Sequence, residues 1–423
     1  MFETTPSETL LRILIHGINH APEVAGVGKY TGEMGEWLAK RGHEVRIVTA
    51  PPYYPTWRIE KGYSARAYRH ERVAGVTVWR CPLYVPENPT GAKRLLHLMS
   101  FSVSSLPIML RQTFWRPDVV MLVEPPLFSA PQTWLTARLC GAKTWLHIQD
   151  FELDAAMGLG MLGGSKVQRF LYGVERALLR GAGRVSTITE AMRLRVVEKG
   201  IPGGRSRVFP NWSDIEFVRP MPRDNELRRE FGAGPEDVLV LYAGNMGKKQ
   251  GLDLVLDAAE RLRGREEIKF AMVGAGAARN RLKRTAEERG LGNMRFFPLQ
   301  PLERLPVMLA AGDVHLVVQK REAADLVMPS KLTNILAAGR CSVATAEPGT
   351  TLHDVIDRHD CGITTTPGSV DELIGAVIML TKDARMRERM ERNARRYAEA
   401  HLDKDKILSR FEGQLRAYVG EGK

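Results

Sequence analysis

Leu11–Thr49 reads LRILIHGINHAPEVAGVGKYTGEMGEWLAKRGHEVRIVT. Its first six residues, Leu11–His16, are a short apolar run ending in a glycine-containing loop, Gly17 to Gly28. A helical pattern follows over Tyr30–Arg41, Gly42-His43 stops it, and a second apolar run occupies Val45–Thr49. Short apolar runs joined through loops and amphipathic helices are the unit of a parallel, doubly wound sheet. The same reading predicts strands at Val76–Arg80, Val119–Val123, Lys143–Ile148, Arg184–Ile188 and Val208–Pro210. Arg219–Pro235, rich in proline and charge, breaks the pattern and reads as a linker. The grammar then restarts, with strands at Val238–Tyr242, Lys269–Val273, Met294–Phe297, Val314–Gln319 and Ser342–Thr345. Helices are expected at Gly251–Leu262, Asn280–Arg289 and Leu302–Ala310. The predicted class is therefore α/β, with two open sheets in tandem and ligand bound beyond their strand carboxyl ends. The expected boundaries are a flexible 1–10, a first domain 11–217, a linker 218–235, a second domain 236–400, and a helix at 401–423 packing back on the first domain.

Bulk composition supports this division. A chain of 423 residues exceeds what one core serves. Hydrophobic content of 44% and charged content of 26% are those of a globular protein and argue against extended disorder. The net charge is +12, of which about +9 falls in residues 1–214. A positive field favours an anionic partner such as an acidic membrane leaflet or a phosphorylated substrate. No basic run with interleaved aromatics is present, so nucleic acid is not expected. Cys81, Cys140, Cys341 and Cys361 lie far apart without a Cys-x-x-Cys, which fits a reduced, cytosolic setting better than zinc or disulfides. Met1–Leu10 is polar and acidic, unlike a signal peptide. Leu95–Leu110 (LLHLMSFSVSSLPIML) carries no charge but is short for a membrane span and includes His97, Pro107 and several serines. A buried helix is expected there, with a surface helix touching a membrane as the alternative.

Two segments carry chemistry. Met328–Gly339 (MPSKLTNILAAG) reads as a loop entering a helix, with Pro-Ser at the entry and Gly as the stop. Such a helix start offers unpaired N–H groups and a positive dipole end to a phosphate. Tyr242–Gly251 (YAGNMGKKQG) is a second phosphate-suited loop. Together they suggest a nucleotide-sugar site. The dinucleotide pattern G-x-G-x-x-G is missed by one residue after Gly26-Val27-Gly28, and Arg279 stands where Gly274-Ala275-Gly276 would need its third glycine.

The order of motifs over nearly the whole chain resembles the retaining family-4 glycosyltransferases, and most closely those of bacterial colanic-acid and exopolysaccharide synthesis. The resemblance rests on PEVAGVGKY, GHEVRIVT, LHIQDFELD, FPNWSD, YAGNMGKKQG, MVGAG and PSKLTNILAAG. It implies the GT-B fold, two Rossmann-like domains facing across a cleft, and transfer of a sugar from a nucleotide-diphosphate donor to a hydroxyl. Gly26 matches the glycine whose amide approaches the donor diphosphate, and Gly244 and Gly274 stand in the donor loops. The family's cationic pair falls at Asn245 and at Lys248 or Lys249; Lys249 is favoured because it is nearer Gly251. Ser330, Lys331 and Leu332 match the amides that receive the diphosphate, with the Lys331 side chain as a further option. Asn334 takes the place of the glutamate that faces the ribose. The sugar-reading glutamate falls at Leu326, with Asp325 beside it. The family's His-Asp pair reads Gln149-Asp150, making Asp150 the expected base or positioning group. His147 is a second candidate that could equally pack within the sheet, and Glu152 and Asp154 are further alternatives.

The resemblance implies a saccharide acceptor, free or linked to a polyprenyl diphosphate, at the cytoplasmic membrane face. Peripheral contact with anionic lipid would then use Lys93, Arg94, Arg111 and Arg116. No metal is expected, and Asp403-Lys404-Asp405 reads as a solvated helix or turn. The competing readings are a nucleotide-sugar epimerase of the same fold and a nicotinamide-dependent oxidoreductase.

Overall fold

The structure, a computed structural model, describes residues 10–23, 26–87, 91–154, 165–321 and 329–421, apart from the side chains of Ser165, Val167 and Lys248. The chain divides into two compact units, Met1–Pro210 with Leu408–Lys423, and Asn211–Ile407.

In the first unit, β1 (Arg12–His16) lies between β2 (Glu44–Thr49) and β5 (Val119–Glu124). With β3 (Arg69–Val73), β4 (Val76–Arg80), β6 (Lys143–Ile148), β7 (Arg184–Thr187) and β8 (Ser206–Val208) the order is β3-β4-β2-β1-β5-β6-β7-β8. All neighbours are parallel except β3 with β4. Every residue of β5 is buried, as expected of a strand covered on both faces. Helix α1 (Val27–Lys40) follows the loop after β1, α2 (Gly91–Arg111) precedes β5, and α3 (Ala130–Cys140) joins β5 to β6. The chain order reverses between β1 and β5, so their carboxyl ends form the crevice where ligands bind in such sheets.

The second unit repeats the plan. β9 (Val238–Ala243), β10 (Ile268–Val273), β11 (Met294–Phe297), β12 (Val314–Val317), β13 (Ser342–Thr345) and β14 (Gly362–Thr365) form an all-parallel sheet ordered β11-β10-β9-β12-β13-β14. Its reversal lies between β9 and β12. That adjacency brings the loop after β9 beside the segment after β12.

Three expectations are corrected. Arg219–Pro235 is packed chain, not a free linker: it includes the helix Glu226–Glu230, buries Leu227 and Phe231, and pairs the buried Arg228 with Asp313 at 2.7 Å. Residues 211–217 pack with the second unit, where Ser213 donates its amide to the Leu402 carbonyl at 2.8 Å. Helix α2 is not buried all round; His97, Leu98, Phe101, Ser105 and Met109 face the core, while much of its apolar remainder is outside. In the first unit Phe411 stacks on Phe209 with ring centroids 4.0 Å apart, and Glu412 accepts from His43 at 2.9 Å.

Candidate active site

The second unit assembles three of its strand ends into a cradle. After β9 the chain turns at Gly244, whose amide donates to Val273 O at 3.0 Å. Met246 N donates to Ala275 O at 2.7 Å, and Ala278 N donates back to Met246 O at 2.9 Å. The two glycine turns are thus laced together. A Cβ on Gly274 would stand 2.0 Å from Gly244 O, so only glycine fits. After β12, Pro329 opens the helix Ser330–Ala337, which no side chain caps. Its Lys331 reaches back over the ring of Tyr242, Nζ 3.8 Å from the centroid. The same Nζ lies 3.6 Å from where a Gly244 Cβ would be, is buried, and has no hydrogen-bond partner among the described residues. Burial lowers the lysine to about 7. An unpaired ammonium beside two glycine turns and a helix start can neutralise a bound diphosphate.

In the first unit the ends of β1, β5 and β6 gather carboxylates and tyrosines. Gly26 has φ +63°, and a Cβ there would meet the Tyr54 ring at 3.4 Å. Glu23 braces this loop: one oxygen accepts from the amides of Tyr53 and Tyr54, both at 3.0 Å, and the other from Asn19 Nδ2 at 2.9 Å. Burial pushes its carboxyl up to about 7, against those hydrogen bonds. Glu152 is likewise raised to about 7 by burial, with Arg94 opposing. Glu124, ending β5, is held well above the carboxylate range by burial and then by Glu152, Glu175 and Asp150. Burial and then Glu23 raise the Tyr54 phenol, and Asp150, which follows β6, adds to them against Arg94. The group can accept and hold hydroxyl protons around one strand-end crevice.

Two family models cover the chain in order: a glycosyl transferase 4-like domain over residues 25–212 and glycosyl transferases group 1 over 223–397. The putative colanic acid biosynthesis glycosyl transferase WcaI of Escherichia coli (strain K12) is 47% identical over 96% of this chain and 100% of its own length. The chain is a glycosyltransferase of this family. Its fold matches solved GT-B structures, among them sucrose-phosphate synthase from Thermosynechococcus elongatus (TM-score 0.76, 17% identity, 97% of this chain and 100% of that one). WaaG, a glycosyltransferase involved in lipopolysaccharide biosynthesis, matches with TM-score 0.66 and 16% identity over 97% of this chain and all of the other.

Several residues singled out by sequence occupy other positions in the glycosyltransferase. His147 is sheet packing: its Nδ1 meets Ser186 Oγ at 2.9 Å, its Nε2 meets Gln149 at 3.0 Å, and burial lowers it to about 3. Asp154 pairs with Arg195 at 2.8 Å and Lys199 at 3.2 Å. The Leu332 amide already donates to Pro329 O at 3.0 Å, which leaves Ser330 and Lys331 as the helix-start amides. Asn334 accepts from Ser213 Oγ at 2.8 Å through its Oδ1, which directs that end of the amide toward Ser213. Asn245 is exposed, and its carbonyl receives the Tyr242 hydroxyl at 2.6 Å. Lys249 gives its backbone carbonyl to Lys320 N at 3.0 Å, and Lys331 brings its ammonium beside Gly244. Asp325, Leu326 and the Lys248 side chain lie outside the described residues.

Asp403 caps a helix, its Oδ1 accepting from the amides of Asp405 and Lys406 at 2.9 and 3.2 Å. Among the described residues no three His, Cys, Asp or Glu side chains gather as a metal site.

Sequence reasoning missed Glu23, Glu124 and the Tyr53-Tyr54 pair. Glu23 stood within a quoted motif, but the signal that singles it out is its reach to amides thirty residues away. Glu23→Ala is expected to lower stability by about 1–3 kcal/mol, because two loop amides lose their acceptor. Urea unfolding checks this. Glu23→Gln keeps an acceptor oxygen and loses less. Since burial raises the folded carboxyl above its unfolded value, wild-type stability falls as pH rises from about 4.5 to 7, and the Gln variant lacks that slope.

Proposed function

We propose that this glycosyltransferase moves a sugar, with retention at the anomeric carbon, from a nucleotide-diphosphate donor to a saccharide acceptor carried on a polyprenyl diphosphate. The setting is exopolysaccharide synthesis of the colanic-acid kind, at the inner face of the cytoplasmic membrane. The name of the Escherichia coli relative supports the pathway class. The observation that carries the donor assignment is the buried, unpaired Lys331 ammonium beside Gly244 at the start of its helix.

Loss of the nucleotide diphosphate is the difficult step, and stabilising its growing charge is the main lever open to the protein. Lys331, the Ser330 and Lys331 amides and the glycine turns do this from the second unit without a metal. The resemblance further matches Gly26 to a glycine whose amide approaches such a diphosphate. As the glycosidic bond to the diphosphate lengthens, an oxocarbenium-like centre forms. The acceptor hydroxyl attacks it from the face the diphosphate leaves. Asp150 orients that hydroxyl or accepts its proton, with Arg94 and Glu152 lining the same crevice.

The test is a transfer assay with uridine, guanosine and adenosine diphosphate sugars. One of them should release free nucleotide diphosphate only when acceptor is added, giving product of unchanged anomeric configuration. Release of a rearranged nucleotide sugar without acceptor would favour an epimerase, and nicotinamide binding by fluorescence would favour an oxidoreductase. Asp150→Asn is expected to lower kcat about 10²–10⁴-fold with donor affinity little changed; normal turnover would remove Asp150 from the mechanism.

A further inference from the structure

The loop after β6 is pinned at both ends. At its start Gln149 donates its amide to Glu124 O at 3.1 Å, which extends the β5–β6 ladder by one bond. Asp150 to Asp154 then turn two ways. Phe151 and Asp154 are buried, whereas Asp150 and Glu152 stay half-buried at the crevice.

Asp154 is held by groups that flank the next strand, β7. Lys199, which follows the helix Glu190–Glu198, sets its ammonium between two buried carboxylates. It lies 3.2 Å from Asp154 Oδ1 and 2.5 Å from Glu175 Oε2, on the helix Ser165–Arg180. Arg195 brings Nε to the other Asp154 oxygen at 2.8 Å. The Phe151 and Tyr172 rings close over the ammonium, their centroids 5.4 and 5.0 Å from Nζ. Two carboxylates and two cations therefore meet around the anchor of one short loop. Such a cage is a poor source of stability, because desolvating the charges offsets most of their attraction. What it supplies is position. Asp154 cannot move without breaking its pairs with Lys199 and Arg195, and Asp150 stands one helical turn before it. A misplacement of about 1 Å at a reacting group costs about 10²-fold in rate.

We propose that Lys199 is a positioning residue: through Asp154 and Phe151 it fixes the loop that presents Asp150 and Glu152 to the acceptor hydroxyl. Glu175, on the other side of Lys199, orients the ammonium but carries no part of that loop. The proposal rests on the reading of Asp150 as the group that meets the acceptor, which Asp150→Asn tests by itself.

The test compares truncations on the two sides of Lys199 in the full chain, by melting temperature and by steady-state transfer with donor and acceptor varied separately. Asp154→Ala and Glu175→Ala each remove one buried carboxylate and leave the other against the ammonium, so both should lower the melting temperature alike. Only Asp154→Ala frees the loop. Its kcat is expected to fall about 10²-fold, with donor KM unchanged because the donor cradle stands in the second unit. Glu175→Ala should keep a kcat near that of wild type. Lys199→Met should lose rate as Asp154→Ala does; where it folds poorly, the alanine pair decides. Lys199→Arg should recover most of the rate, since it keeps the charge and finds room in the adjoining cavity of about 610 Å³ lined by Tyr172, Arg176 and Arg195. Equal losses of kcat in the two alanine variants overturn the proposal, because the cage then acts on stability alone. So does a normal kcat in Asp154→Ala. Normal turnover by Asp150→Asn beside a slow Asp154→Ala would instead remove Asp150 from the mechanism and leave the anchor acting through Glu152.

Discussion

Lys331→Met is expected to unfold at a higher temperature than wild type while transferring sugar about 10²–10³-fold more slowly. The two effects have one cause. The Lys331 ammonium is buried without a hydrogen-bond partner among the described residues, and its lowered pKa means that burial outweighs the attraction of the Tyr242 ring. An apolar side chain of similar length removes that cost, which should stabilise the fold by about 1 kcal/mol or more. It also removes the charge that meets the leaving diphosphate. The pH dependence has a definite sign. An unfolded lysine titrates near 10.4 and the folded one about 7, so between these values the unfolded chain binds a proton that the folded one does not. Wild-type stability therefore rises with pH over that window, and its gap to Lys331→Met narrows. A diphosphate beside Lys331 draws the proton back, so donor binding should take up protons above pH 7 and weaken as pH rises. Calorimetry in two buffers of different ionisation enthalpy measures that uptake. Normal turnover by Lys331→Met would refute the donor assignment.

Gly274→Ala should be the most damaging single methyl group in the second unit. Gly274 has φ +146°, a region that costs a side-chain-bearing residue about 1–3 kcal/mol. Its new Cβ would also stand 2.0 Å from Gly244 O, and that neighbour is backbone, which moves only with its loop. Overpacking of this kind costs about 1–3 kcal/mol more. A loss of about 2–6 kcal/mol in all lowers the melting temperature by about 5–20 °C in a unit of this size. Because the displaced loop is the one Lys331 covers, donor KM should rise as well. Gly264→Ala is the control: nothing lies within 4 Å of its Cβ, and the melting temperature should stay or rise slightly. Equal losses in both variants would show that the lacing of the glycine turns contributes little.

The strands buried on both faces were legible because their apolar runs are continuous. β1, β2, β4, β5, β6 and β9 fall within a residue or so of their expected limits. β3 was missed because Arg69–Val73 is a charged edge strand, mostly exposed, with no apolar side to betray it. β14 was missed because Gly362–Thr365 is too short and polar for a period to register. The linker was misread for a related reason: proline and charge mark a break in periodicity, whether or not the segment then packs. Leu95–Leu110 was read as a buried helix, with a surface helix as the alternative; it is a helix with one side in the core and the other outside, and hydropathy carries no record of which side meets the core.

The sequence by itself determined the class of fold, two βα grammars with a loop at each strand end, and the motif order that marks a glycosyltransferase. These follow from local spacing, which one-dimensional periodicity records. Tertiary structure alone decided which side chain does what at those ends. His147 faces the sheet because Ser186 and Gln149 hold both its nitrogens. Lys331 reaches the Gly244 turn because β9 and β12 are neighbours although distant in the chain. Burial and pairing are properties of that adjacency, and they set the charge on which the chemistry depends.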